Sequence, residues 1–319
     1  MSVLRAERDV SPRDFAARAA WMSFVGGLTQ DEIARELGIS RQRVQRLVAR
    51  ATAEGLVQVR IAHPVAHCLE LEAQLKAAFA LEAARVSPAT GGAADPLTGL
   101  APFAAPVIER YLTGEAPRTI AIGTGRTLRA VVDQIEFADR SYHKLVALTG
   151  NVAPDGSATA FETIMRLSEK TGARQYQLAV PVVARTADEL ELYLRLPHVK
   201  ASLALARSAD IAFVGVGQMG DDAPLYLDGF VTREDLAELQ AAGAAGEIAG
   251  RVYDEEGRYL DHPHNRRLVG MLVSASERPV CCIAAGPGKI RALRAALKGG
   301  LVSQLVVDEP TATKLLSTA

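Results

Sequence analysis

Between Asp14 and Gly55 the apolar positions recur at helical spacing in three short runs separated by glycine breaks. Phe15, Arg18, Ala19 and Met22 form the first turn series, which stops at Gly26-Gly27. Thr29 followed by Glu32 predicts a capping box that opens a second helix, with Ile33, Ala34 and Leu37 facing inward and Gly38 ending it. Ile39 reads as a buried spacer. Ser40 predicts the cap of a third helix over 41–54, with Val44, Leu47 and Val48 on one face and Gln and Arg on the other. Two short helices joined by a glycine turn, the second capped by serine, are the sequence form of a helix-turn-helix. Val57 to Ile61 then alternates as a strand, a candidate wing.

Helical spacing resumes after Pro64, from Cys68 to Leu81 through Leu71, Leu75 and Phe79. This places a boundary near residue 62: a helix-turn-helix unit over 1–62, a linker helix over 63–86 that connects the parts or packs across a dimer, and a large domain over 87–319. Ser87 to Pro106, rich in Gly, Ala and Pro, reads as a loop. Past residue 115 a short β-branched apolar run, a glycine or polar loop and a helical pattern repeat. The runs are Thr119–Ile122, Lys144–Leu148, Ile211–Val214, Val280–Ala284 and Leu305–Val307. Strands alternating with helices predict an α/β class domain with a mainly parallel, doubly wound, Rossmann-like sheet, which binds ligands beyond the carboxyl ends of its strands.

The chain has 319 residues, of which 49% are apolar and 23% charged, which excludes disordered, collagen-like and disulfide-stapled classes. Apolar runs such as Ile211–Val216 fall far short of the ~20 residues of a membrane span, and Met1–Val10 is charged with no apolar signal core, so a cytoplasmic protein is expected. Cys68 and the adjacent Cys281 and Cys282 have no CxxC spacing and read as packed, reduced thiols. No metal site is expected at His63, His67 and Cys68, nor at His262-Pro-His264, which read as linker and loop residues. The formal charge of −1 hides an asymmetry: residues 1–60 hold ten arginines against seven acidic residues. Arg41, Arg43, Arg46, Arg50 and Arg60 face only Glu54, a local cationic patch suited to a few phosphates.

Arginine bonds guanine bidentately and glutamine bonds adenine, while a capping hydroxyl at a helix N-terminus suits a phosphate. Ser40, Arg41, Gln42, Gln45 and Arg46 are therefore the expected contacts to duplex DNA, with Arg43 and Arg50 serving its backbone. The competing reading is a plain three-helix bundle with a solvated charged face. In the large domain, Gly123-Thr124-Gly125-Arg126-Thr127 is the best anion loop, since small residues expose backbone N–H groups at a helix start and Arg126 adds a guanidinium. It is no nucleotide fingerprint: Leu128 stands where GxGxxG needs its third glycine, and no cofactor is expected. Lys289 opens another helix and could meet an anionic ligand, while Asn151, Asp254 and Asn265 offer hydroxyl partners; Asp254-Glu-Glu-Gly reads equally as a surface turn.

Taken in order, Gly27-Leu-Thr-Gln-Asp-Glu-Ile-Ala, Leu37-Gly-Ile-Ser-Arg, Ala121-Ile-Gly-Thr-Gly-Arg-Thr-Leu, Val214-Gly-Val-Gly, Gly246-Glu-Ile-Ala-Gly-Arg-Val-Tyr-Asp and Lys289-Ile-Arg-Ala-Leu-Arg-Ala-Ala-Leu resemble the SorC family of sugar-binding transcriptional regulators. The resemblance implies a helix-turn-helix tethered to a sensor similar to glucosamine-phosphate deaminases and ribose-phosphate isomerases, a sugar or sugar-phosphate effector, operator DNA as partner, and self-association as dimer or tetramer. It carries Gly123, Thr124, Gly125, Arg126 and Thr127 over as the phosphate-type loop and Gly150, Asn151, Gly215, Gly217, Asp254 and Lys289 as the surrounding pocket. The family loop often has a bulky residue where Thr124 stands, and Gly-Gly where Gly286-Pro287-Gly288 stands. The front of the chain and Leu148-Thr-Gly-Asn-Val-Ala-Pro-Asp-Gly are also similar to regulators of polyol catabolism such as that of erythritol. The alternative is a sugar-phosphate isomerase or deaminase with a helical extension, but no His or carboxylate constellation marks a general base.

Overall fold

Local chemistry fixes the front of the chain. The computed structural model describes residues 11–57, 66–91, 95–153, 156 and 163–317. The alternating run beyond Val57, Arg60, His63, Pro64 and the charged N-terminus lie outside the described residues. Contacts divide the chain into two compact units, Met1–Ala62 and His63–Ala319. In the first, Ser11 caps α1 (Pro12–Phe24), whose Pro12 suits the first helical turn. The Thr29–Glu32 capping box opens α2 (Gln30–Leu37), and Gly38, at φ 67, closes it in the left-handed conformation. The Ser40 side chain accepts the Arg43 N–H at 3.3 Å and opens α3 (Arg41–Ala53). Each such cap contributes about 1 kcal/mol. The buried faces are Met22, Ile33 and Val44 on one side, and Ala16, Ala20 and Ala51 on the other. Arg18, expected in the first helix's apolar series, is exposed.

The second unit begins with α4 (Ala66–Phe79), β1 (Ala83–Ser87), α5 (Pro96–Leu112), β2 (Thr119–Ile122) and α6 (Arg126–Asp133). It continues through β3 (Lys144–Val152), α7 (Thr163–Thr171), β4 (Arg174–Pro181), α8 (Ala187–Arg195), α9 (Pro197–Arg207) and β5 (Ile211–Val214). Then come β6 (Gly217–Gln218), α10 (Pro224–Leu227), α11 (Arg233–Ala241), β7 (Gly246–Ile248), β8 (Arg251–Tyr253) and α12 (Pro263–Arg267). β9 (Val280–Ile283), a 3-10 turn over Pro287–Lys289, α13 (Ile290–Lys298), β10 (Gln304–Asp308) and α14 (Glu309–Ser317) complete it.

Seven strands form one sheet in the order β1-β10-β9-β5-β2-β3-β4, and every pairing in it is parallel. Both faces are covered, so successive residues of one strand enter different cores. Ala121, Ala212, Val214 and Cys282 join one cluster with residues of α4, α9, α13 and α14. Ile122, Phe213, Cys281 and Ile283 join another with residues of α5, α6 and α7. This two-sided burial is why the central strands read as unbroken apolar runs. From β2 the chain builds outward to β3 and β4, then returns across β2 to β5 and onward to β9 and β10. The direction of winding therefore reverses between β2 and β5, where such sheets open a crevice at their carboxyl ends.

Two segments depart from the sequence reading. Residues 66–87 are built into the large unit: Cys68, Leu71 and Leu75 of α4 are buried in its core, and β1 pairs with β10 in register from Ala83–Gln304 to Ser87–Asp308. Ser87 to Pro106 is a loop only at its start, because α5 runs through Pro102 and Pro106. Burial of Leu100, Ala104, Ala105, Ile108 and Leu112 on its inner face outweighs the two lost backbone bonds. The antiparallel sheet β6-β7-β8, which the sequence pattern did not suggest, adjoins a separate cluster of Met219, Ala223, Leu225, Leu236, Leu239 and Val252.

Candidate functional site

α3 buries Val44 and Ala51 and exposes Arg41, Gln42, Arg43, Gln45, Arg46 and Arg50. Gln42 with Arg46, and Arg41 with Gln45, stand one turn apart on that exposed surface. The arginines differ in their engagements. Arg41 Nη1 is 3.5 Å from Asp31, and Arg50 Nε is 2.6 Å from Glu54. The Arg43 guanidinium lies over the Phe15 ring, 5.9 Å from its centroid, while Arg46 Nε donates to the Gln42 carbonyl at 3.4 Å. All four arginines thus have an engagement within their own unit, and the N-terminal part of α3 presents an arginine and glutamine surface to solvent.

In the large unit, the loops after β2, β5 and β9 leave three neighbouring strands on the same sheet edge. Gly125, at φ 119, turns the chain into α6, a conformation that strains any residue with a Cβ. The Gly123 N–H donates to the Phe213 carbonyl at 2.9 Å, tying the β2 and β5 ends at the switch point. Thr124 and Arg126 are exposed, whereas Thr127 is buried and its Oγ1 accepts a bond from Lys289 Nζ at 3.2 Å. The sequence motifs 162 residues apart are thereby in direct contact. Arg126 also meets Asp228, at the end of α10, at 3.5 Å.

Glu247 completes this cluster. Burial pushes its carboxyl pKa up, with the Gly250 N–H at 2.8 Å and the Lys289 charge opposing, and Asp228 adding to the rise. Burial likewise pulls the Lys289 ammonium down, with Cys282 and Glu247 opposing and Arg126 adding to the fall. Burial pushes the Cys282 thiol up to about 12, with the Lys289 charge opposing. Gly217 pairs with Glu247 across β6 and β7, and a Cβ there would run into the Glu247 carboxylate. Gly217 therefore serves to seat Glu247. Neither Glu247 nor Asp228 was singled out from sequence. The available signal for Glu247 was a lone carboxylate between Ala244-Ala245-Gly246 and Ile248; Asp228-Gly229 reads only as a turn.

Other pocket candidates have engagements elsewhere. The Asp254 carboxylate accepts the Glu256 and Arg258 N–H groups at 2.9 Å each and pairs with the Arg258 guanidinium, building a turn. Gly150 is in close contact with β4, where a Cβ would strike the Val180 and Pro181 carbonyls. Asn151 Nδ2 donates to Gln177 at 2.6 Å, and its buried Oδ1 accepts no bond among the described residues. Gly215 lies at the end of β5, near the Ile283 carbonyl. Asn265 bonds the β8 backbone, accepting from the Val252 N–H at 2.9 Å and donating to the Val252 carbonyl at 2.7 Å. The two histidines read as loop residues belong to α12: His262 caps it, and His264 is buried with Nε2 2.8 Å from the Gly250 carbonyl. Among the described residues no three His, Cys, Asp or Glu side chains are gathered to hold a metal.

A helix-turn-helix with an exposed arginine and glutamine helix, joined in one chain to a doubly wound domain with a polar cluster at its switch point, defines a DNA-binding, ligand-sensing regulator. Comparison with known proteins agrees. Residues 63–317 match the Sugar-bind family of sugar-binding domains, and residues 20–65 match the MarR family. The chain is 31% identical over 302 residues to the erythritol catabolism regulatory protein EryD of Brucella abortus (strain 2308), covering 94% of this chain and 96% of EryD. It is 31% identical over 327 residues to the transcriptional regulator LsrR of Escherichia coli (strain K12), covering 98% and 97%. The crystal structure of the full-length sorbitol operon regulator SorC from Klebsiella pneumoniae superposes with a TM-score of 0.70 at 25% identity, covering 95% of this chain and 98% of that one. The chain belongs to the SorC family of sugar-binding transcriptional regulators. Among the described residues no helix is long and apolar enough to cross a membrane.

Proposed function

We propose that this protein regulates a carbohydrate or polyol catabolic operon in the cytoplasm, reading operator DNA with α3 and sensing its effector at Gly123–Thr127 and Lys289, without turnover. The observation that carries the reading is the Lys289–Thr127 bond at the switch point, which joins two motifs remote in sequence into one polar cluster beside Arg126. On the DNA side, Ser40, Arg41, Gln42, Gln45 and Arg46 contact bases and phosphates, with Arg43 and Arg50 toward the backbone. The α3 cap and exposed surface support these assignments. One reading helix covers few base pairs, so a homo-oligomer on repeated half-sites, dimer or tetramer, is part of the proposal. Effector binding then biases one oligomer geometry, and a coupling of about 1–3 kcal/mol changes operator affinity roughly 5- to 150-fold.

The test is operator titration with and without effector, comparing wild type with Arg126→Ala and Lys289→Ala. Both variants should keep ligand-free DNA affinity and lose the ligand response. A full response in both at unchanged ligand concentration assigns the loop a structural role only. Turnover assays with pentose and hexose phosphates should show no product; sustained catalysis would overturn the regulator-only reading.

A further inference from the structure

The sheet has a second place where its connections part. The chain leaves β1 for α5, which packs on one face, and leaves β10 for α14, which packs on the other, although the two strands are paired. Neighbouring strands whose connections go to opposite faces open a crevice at their carboxyl ends. A cavity of about 370 Å³ lies there, within the size range of small-molecule sites. Two cross-ties build it: the Ala89 N–H donates to the Glu309 carboxylate at 3.0 Å, and the Gly286 N–H donates to Thr311 Oγ1 at 3.0 Å. Three strand spacings, about 14 Å, separate β10 from β2, and Lys289 bonds Thr127 rather than lining this cavity.

The floor of the cavity is polar and unsatisfied. Asp308, 7% exposed, lines it, and Ser87, 1% exposed, stands opposite Asp308 in the β1–β10 register. Registered residues of neighbouring strands project to one face about 4.8 Å apart. Neither Asp308 Oδ1 nor Ser87 Oγ has a hydrogen-bond partner among the described residues. Asp308 directly precedes α14, the position from which an aspartate caps a helix, yet this oxygen caps nothing. The walls are apolar, formed by Pro88, Pro96, Pro287, Ile290 and Pro310, and the exposed Lys314 also lines the space.

We propose that this cavity is a second ligand site, separate from the effector edge, for a compact organic ammonium compound, an amine or a small amino acid. A buried carboxylate oxygen without a donor is costly, and a ligand that brings one offsets that cost. An ammonium group carries three donors and one positive charge, so it donates to Asp308 and Ser87 and balances the carboxylate, while its apolar body packs among the prolines. Where the compound also carries a carboxylate, Lys314 is its partner. A sugar would bury several hydroxyls against the apolar walls without partners. A metal ion would find a single carboxylate on the floor, and among the described residues no three acidic, Cys or His side chains gather to hold one.

The experiment is thermal-shift titration of the full chain at neutral pH with ethylammonium, ethanolamine, glycine, L-alanine, acetate, potassium chloride and erythritol, on wild type, Asp308→Asn, Ala89→Leu, Lys314→Ala and Arg126→Ala. Circular dichroism checks that each variant is folded. Ala89 is an exposed wall residue whose N–H survives substitution, so Ala89→Leu fills the cavity without touching the carboxylate. At least one ammonium compound should raise the wild-type melting temperature saturably, as binding to the folded state requires. Its apparent affinity should fall at least about tenfold in Asp308→Asn and in Ala89→Leu and stay at the wild-type value in Arg126→Ala. Glycine or alanine binding more tightly than ethylammonium, with the advantage lost in Lys314→Ala, supports the site and assigns the amino acid; the reverse order supports it and assigns the amine. The proposal is overturned if no ammonium compound gives a saturable shift, if Asp308→Asn responds as wild type does, or if acetate, potassium chloride or erythritol acts equally. A response lost in Arg126→Ala places the ligand at the effector edge and overturns the second site as well.

Discussion

The two units carry their charges in different ways. In the first, the two ion pairs of α3 close within a short stretch of chain: Arg50 with Glu54 four residues on, Arg41 with Asp31 ten residues back. All four are well exposed or partly so, and such pairs contribute between zero and about 1 kcal/mol each. In the second, Arg126, Asp228, Glu247 and Lys289 come from four elements spread over 164 residues and are brought together only by the winding of the sheet. Local pairing leaves the α3 surface exposed, with partners that a proposed DNA contact would replace. Long-range pairing makes a site whose chemistry depends on the integrity of the whole domain.

The strongest way to break the second arrangement lies away from its charges. Gly257 has φ +71, and a Cβ there would strike the Ala295 carbonyl and the Gly299 backbone at the end of α13. Gly257→Ala should destabilise the large unit by about 2–4 kcal/mol, the sum of a left-handed backbone penalty and overpacking. Urea denaturation followed by circular dichroism measures this. The fluorescence of Trp21, the only tryptophan, reports the small unit separately and should show its transition unmoved. A common shift of both signals would show that the units do not unfold apart.

On the DNA side the expected effects are smaller. Arg41→Ala or Arg46→Ala should weaken operator binding by about 1–3 kcal/mol where the lost contact is a bidentate base pair, measured by gel shift with folding intact. Unchanged affinity in both would remove α3 from the interface. Ser40→Ala should cost about 1 kcal/mol of stability through loss of the Arg43 cap, read from a shift in the small unit's melting transition.

The smallest effect is a pH dependence. The Thr29 hydroxyl and backbone N–H hold the Glu32 carboxyl below the usual carboxylate range. A depressed folded pKa contributes stability that is complete above the unfolded value of about 4.3 and is lost as pH falls through the folded value. The small unit should therefore loosen on acidification below about pH 4.5. Thr29→Ala should be less stable at neutral pH and show a weaker acid dependence over that window; an identical acid profile would mean that the capping box does not couple to protonation.

What was legible in the sequence follows the same division. Thr29 with Glu32, Gly38 and Ser40 act on residues three or four positions away, so a short window of sequence contains the whole cause. The strands β2, β5, β9 and β10 were visible because burial on both faces makes each an apolar run. The strands of this sheet that went unseen, β1 and β4, are its two edges, where Arg85, Arg174, Gln175 and Gln177 interrupt the run. Helix α5 was hidden by Pro102 and Pro106, whose local cost is overcome only by a core that sequence spacing does not reveal. At the site, the glycine loop and Lys289 stood out as helix-start motifs. Asp228 and Glu247 did not, because nothing near them in sequence marks the partners that give them a role.

The paired arginines of α3 also set how the protein responds to ionic strength. Bringing Arg41 or Arg50 to a DNA phosphate exchanges one anion, Asp31 or Glu54, for another. With α3 reading the groove as proposed, the number of counterions displaced per half-site stays small, and the operator complex weakens only gently as salt rises. On that proposal unrelated duplex, which is held by phosphate contacts alone, should bind the protein weakly.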